Sequence, residues 1–309
     1  VRPARLALCL TLFLHAGCGE KVATTPAPPT RAKPEVWTTF YPTTWMTRRI
    51  AGDLVEVRCP LPDDEDPIFW QPDTQALEGY QAADLVVING AEFEKWVATA
   101  SLPTAWLVDS AKALEPDFVR FEGVPKHSHG PGAAHTHEGI DGHTWLDPKN
   151  ALVQAQAIHR GLRRLLPAKQ AELDRGLAAL AQDLNGLDAE LKRLGSLPEG
   201  RHLYASHPAY NYLAKRYGWR VANLDLDPET MPTDEVFAAV KAKLAAQSGT
   251  HLLWEAQPQA EIAARFEREL GLVSLVVEPC ETPASVPPRD YLERWKINLS
   301  NLARAFAAR

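Results

Sequence analysis

Leu173, Leu177, Leu180, Leu184, Leu187, Leu191 and Leu194 recur at alternating spacings of four and three. That rhythm puts all seven on one stripe of one helix. At about 1.5 Å per residue, a helix over residues 168–194 runs roughly 40 Å, more than a single small lobe needs. Its apolar stripe must therefore be covered along its whole length, and the sequence on either side has to supply the cover. A coiled-coil seam is the competing reading, but the run spans only about three to four heptads and lies between two patterned segments.

Those segments share a rhythm. Residues 36–41, 54–59, 84–89 and 105–108 read as short β-strands with helical stretches between them, and the pattern restarts at 202–205, 219–224, 251–254 and 272–277. Strands separated by crossover helices imply parallel sheets covered on both faces. The expectation is an α/β chain with an N-terminal lobe over residues 35–166, a connecting helix over 167–196 and a C-terminal lobe over 197–309. A helix fixed to both lobes resists large hinge opening, so only modest closure around a small ligand is expected.

The first 34 residues follow other rules. Arg2 and Arg5 precede an apolar run over residues 6–14, too short to span a bilayer but suited to a secretory signal. Residues 1–17 are read as that signal. Ala16-Gly17-Cys18 resembles a lipoprotein cleavage box, with Cys18 as the lipid anchor holding the protein at the membrane. A soluble secreted protein is the alternative, because His15 stands where leucine is usual. Residues 18–34, with Thr25-Pro26-Ala27-Pro28-Pro29, read as a semi-rigid tether. The location implied is periplasmic or at the cell surface. Of four cysteines, Cys59 and Cys280 remain in the folded part, either as a disulfide or as buried thiols.

With a net charge of −6 and no basic stripe or arginine-rich arm, the chain lacks the footprint of nucleic-acid binding. The histidines point elsewhere. His127, His129, His135 and His137, four of the ten in the chain, fall within residues 126–138, among glycines and a proline that forbid regular structure. Neutral imidazoles suit Zn²⁺, Cu²⁺ and Ni²⁺ far better than Mg²⁺ or Ca²⁺, so the tract reads as an accessory gathering loop for a transition metal. His143 lies just downstream, before an apolar turn and Asp147-Pro148. His207 follows the strand 202–205, and Glu278 follows the strand 272–277. The carboxyl ends of strands are where α/β sheets place ligand groups, so two imidazoles and a carboxylate are expected to converge on an inter-lobe cleft.

With these residues in order, the chain resembles the cluster A-I substrate-binding proteins of zinc and manganese ABC transporters. Asn89-Gly90-Ala91-Glu92-Phe93-Glu94-Lys95-Trp96, His143-Thr144-Trp145-Leu146-Asp147-Pro148, Ser206-His207-Pro208-Ala209-Tyr210, Glu255-Ala256-Gln257-Pro258 and Tyr291-Leu292 through Asn298-Leu299 carry the likeness. It implies two Rossmann-like lobes with parallel sheets, joined by a long rigid backbone helix, the metal bound between them. It puts His143 and His207 on metal-ligand positions and Glu278 where the family usually has aspartate. A histidine at position 207 and the His-rich loop are features of the zinc branch. The ligand implied is therefore Zn²⁺ ahead of Mn²⁺, delivered by a monomeric, non-enzymatic protein to a membrane permease.

One departure stands out. The family's first-lobe ligand is the histidine of Asp-Pro-His, whereas Asp66-Pro67 is followed here by Ile68. Asp66 or Glu65 could substitute, a water could complete a three-ligand site, or Cys59 or Cys280 could supply a thiolate. Glu255 is suited to fixing the second nitrogen of a ligating histidine. Two rival functions remain: a surface lipoprotein or adhesin that keeps the fold with little metal binding, and a zinc hydrolase. The latter lacks a His-Glu-x-x-His helix, a phosphate loop and a Gly-x-Ser-x-Gly elbow.

Overall fold

A computed structural model describes residues 32–121, 139–283 and 290–307. The tract of His127, His129, His135 and His137 lies outside them, as does Cys18. Each of the eight strand-like runs holds a strand. In chain order the first half is β1 (Glu35–Thr38), α1 (Tyr41–Ala51), β2 (Glu56–Arg58), α2 (Thr74–Ala82), β3 (Leu85–Ile88) and β4 (Leu107–Asp109). A short antiparallel pair, β5 (Arg120–Phe121) and β6 (Gly139–Ile140), was not anticipated by the alternation pattern; two-residue strands are too short to show one. Helices α3 (Pro148–Leu165) and α4 (Gln170–Leu194) follow. The second half is β7 (His202–Ala205), α5 (Asn211–Tyr217), β8 (Val221–Asn223), α6 (Asp234–Ala246), β9 (Gly249–Trp254), α7 (Ala260–Leu270), β10 (Val273–Val276) and α8 (Tyr291–Ala307).

The strands form two parallel sheets of the same size, ordered β2-β1-β3-β4 and β10-β9-β7-β8. Strand β3 is buried at all four positions, as expected for a central strand covered on both faces. The α4 helix is 25 residues long, and Leu173, Leu180, Leu184, Leu187 and Leu191 are buried along it. Leu177 and Leu194 pack against the same core. This helix meets α1 and α3 of the first half and α8 of the second, so the leucine stripe is covered by both. Gly176 permits the closest part of that packing: a Cβ there would meet the backbone oxygen of Ile50 at 2.2 Å. Among the described residues no helix is long and apolar enough to cross a membrane.

The loop leaving β3 is the most strained stretch of backbone. Gly90, Ala91 and Glu92 all have positive φ, at 81°, 53° and 58°. Such conformations cost non-glycine residues about 1–2 kcal/mol each and persist only where neighbours impose them. The neighbour here is Glu94, which is buried. Its carboxylate accepts the Asn89 N–H at 2.6 Å, the Gly90 N–H at 3.3 Å and the Thr39 hydroxyl. Burial pushes its pKa up while these donors pull it back. Asn89, thus held, donates its side-chain amide to the Gly142 carbonyl at 2.9 Å, which links the strained loop to the segment that carries His143.

Removing the carboxylate would strand these donors in the interior. Glu94→Ala is predicted to lower stability by about 2–4 kcal/mol in urea denaturation with an unchanged slope; a loss below about 1 kcal/mol would show that the loop does not depend on it.

Candidate metal centre

The loops at the carboxyl ends of β2, β7, β9 and β10, with the segment after β6, supply the polar residues that meet between the two sheets. His143 precedes a 3-10 turn over Thr144–Leu146, after which Pro148 starts α3. Asp147 caps that helix by accepting from the Lys149 N–H at 2.8 Å, and it also pairs with Arg216 of α5. His143 is buried, with Phe93 and Trp145 against its ring. A side chain at position 142 would press on this packing, since a Cβ there would lie 2.8 Å from the Cβ of Phe93.

One ring nitrogen of His143 is committed: Nδ1 lies 2.7 Å from Asp141 Oδ1, which also accepts the His143 backbone N–H at 3.0 Å. The other, Nε2, is buried and lies 3.1 Å from Glu281 Oε1. Two donors about 2.0–2.1 Å from one tetrahedral Zn²⁺ stand roughly 3.3 Å apart, so the spacing of this pair suits a shared cation. The His207 ring centroid is 5.2 Å from that of His143. Glu255 Oε2 lies 3.5 Å from His207 Nδ1, the place expected for a residue that fixes the second nitrogen of a ligating imidazole.

Asp66 belongs to the same cluster. Its carboxylate accepts the Ile68 N–H at 2.8 Å, while Ile68 itself packs into the core. Burial and the negative charge of Glu281 push the Asp66 acid up to about 6, against a smaller pull from His143. Burial and Glu281 likewise push Glu255 up to about 8, with Asp66 and Asp227 adding to the effect. For His143 burial works downward, but the carboxylates of Asp141 and Glu281 prevail and hold its pKa at about 10. Carboxyl groups are thus crowded around two imidazoles, and His143 and Glu255 hold protons that a dication could replace.

Glu278 is the predicted residue that the structure places elsewhere. Its Oε2 pairs with Arg294 of α8 at 2.7 Å, and its backbone N–H is received by Asn298 Oδ1 at 2.9 Å. The chain then turns through Cys280 in the left-handed region, φ 62°, and it is Glu281, three residues on, that reaches His143. Trp145 fixes this turn by donating its indole N–H to the Pro279 carbonyl at 2.7 Å. Glu65 is exposed. Cys59 and Cys280 are both free, and burial pushes the Cys280 thiol up to about 12, so it is held in the form that does not bind metals. Sequence reasoning missed Glu281 and Asp141. The Asp-x-His spacing could have flagged Asp141, but nothing in the order of residues distinguishes Glu281 from Glu278. Among the described residues no group of three or more His, Cys, Asp or Glu side chains stands arranged to hold a metal ion.

Residues 36–305 match the family described as "Zinc-uptake complex component A periplasmic" (ZnuA). The chain is 28% identical over 285 residues to the zinc-binding lipoprotein AdcA of Streptococcus pneumoniae, covering 90% of this chain and 54% of AdcA. It therefore spans about half the length of that relative. It is 26% identical over 281 residues to the high-affinity zinc uptake system protein ZnuA of Bacillus subtilis, covering 89% and 87% of the two chains. The crystal structure of the Zn(II)-bound ZnuA-like domain of S. pneumoniae AdcA has the same fold, with a TM-score of 0.75 at 22% identity over 89% of this chain and 99% of that one. The match over residues 36–305 settles the family: the chain belongs to the ZnuA zinc-uptake solute-binding proteins, which are not enzymes.

Proposed function

We propose that this protein captures Zn²⁺ outside the cytoplasm and hands it to an ABC-type permease, with His143, His207 and Glu281 as ligands and Asp66 in place of the family's first histidine. The observation that carries the reading is the His143–Glu281 pair, 3.1 Å apart and contributed by opposite halves of the chain. Two imidazoles with carboxylates make a set suited to Zn²⁺, and Asp66 supplies a donor beside the position where Ile68 cannot. The relatives named above are zinc-binding and zinc-uptake proteins, which supports the same cargo and a permease partner. Several relatives are lipoproteins, which supports Cys18 as the membrane anchor.

The proton on His143 Nε2 and the metal ion compete for one position. Because the pKa values of His143 and Glu255 lie above neutrality, both groups carry protons at pH 7 that binding must release. Apparent affinity therefore rises with pH, and it falls on acidification as Glu255 and then Asp66 fill with protons.

Two outcomes follow. Titration calorimetry with Zn²⁺ at pH 7, in buffers of different ionisation enthalpy, should show about one to two protons released per ion; no release would contradict the competition. Glu281→Ala should weaken Zn²⁺ binding at least about tenfold, while Glu278→Ala, which breaks only the Arg294 pair, should leave it within about threefold. The reverse ranking would return the ligand role to Glu278.

A further inference from the structure

We propose that Asn211, on the first turn of α5, is a positioning residue that makes His143 and His207 one site, by tying the carboxylate that orients the first imidazole to the loop that carries the second. The inference rests on the metal-capture reading above. Asp141 is fully buried, and its two carboxylate oxygens serve different partners. Oδ1 holds the backbone N–H and Nδ1 of His143. Oδ2 accepts from Asn211 Nδ2 at 2.9 Å. The same Asn211 nitrogen donates to the carbonyl of Pro208, the residue after His207, also at 2.9 Å. Asn211 Oδ1 accepts from Asn223 Nδ2 of β8 at 3.2 Å.

This pattern leaves no ambiguity about the amide. A carboxylate and a carbonyl both need a donor, so the NH₂ must face Asp141 and Pro208, and the oxygen must face Asn223. Aspartate at this position would set one carboxylate against another. An apolar residue would remove the donor that the structure gives to Asp141 Oδ2, leaving that carboxylate anchored through Oδ1 and less firmly oriented. The His143 ring would then lose its fixed aim relative to His207. Partners of this kind typically account for about 10- to 100-fold in metal affinity.

Other bonds join α5 to the first half without touching the orienting carboxylate. Lys215 donates to the Asp117 carbonyl at 2.8 Å, on the exposed side of the helix. Its removal tests general docking of the halves, whereas removal of Asn211 tests aim.

The experiment compares the full chain, Asn211→Leu and Lys215→Ala, by Zn²⁺ calorimetry and by the visible absorption of the Co²⁺-loaded proteins. The thermal midpoint of each metal-free protein is measured alongside, and Asn211→Ser replaces Asn211→Leu if the leucine variant does not fold. Asn211→Leu should bind Zn²⁺ about 10- to 100-fold more weakly and shift the Co²⁺ spectrum, while Lys215→Ala should match the unaltered chain in both. A folded Asn211 variant with unaltered affinity and spectrum would overturn this inference alone. Equal losses in both variants would also overturn it, in favour of general docking. If the unaltered chain binds neither ion, the functional reading fails and this inference fails with it.

Discussion

The indole N–H of Trp145 bonds to the carbonyl of Pro279, and much of the site depends on that contact. Trp145 is fully buried between the halves, its own carbonyl receives the Tyr291 hydroxyl at 2.7 Å, and Phe40 and Phe93 pack edge-on against its ring. A segment two residues from His143 is therefore fastened to a segment two residues from Glu281. The His143–Glu281 pair, 3.1 Å apart, takes one residue from each lobe. The pair exists because the aromatic core fixes how the two loops face each other, and its tight packing leaves little room for that register to drift.

The same rigidity bears on how such a protein can release its ligand. The α4 helix runs along both halves with its leucine face buried, and Asp147 joins the cap of α3 to Arg216 of α5. A wide hinge motion would have to break these contacts together. Small changes in the loops are cheaper, and the carboxylates around the two imidazoles, Asp66, Glu255 and Glu281, sit on loops. The surplus of carboxyl groups around two imidazoles gives those loops an electrostatic reason to rearrange when a dication arrives or leaves.

Much of the fold was legible in the residues. The 4-3 leucine rhythm locates α4 because burial on one face of a helix leaves a periodic trace, and the β-rich runs locate both sheets for the corresponding reason. That His143 and His207 lie together was legible because strand ends followed by turns bring such residues to one end of the sheets. Asp66 is singled out by what Ile68 cannot do, and its charge is coupled to Glu281 and His143. Glu281 was not legible, because the choice between it and Glu278 is made by the left-handed turn at Cys280 and by the guanidinium of Arg294, a residue on α8. Neither appears in a local pattern. Asn211 escaped notice for a similar reason, since its partners lie at Asp141 and Asn223, far away in the chain.

The central claim is that one cation is shared by side chains from both halves of the chain. Crystals of the zinc-loaded protein measured at the zinc absorption edge test it directly. The account predicts a single anomalous peak between the sheets, within about 2.0–2.2 Å of His143 Nε2 and a Glu281 carboxylate oxygen and in contact with His207. A peak held by one half alone, or seated beside Glu278 and Arg294, would contradict it.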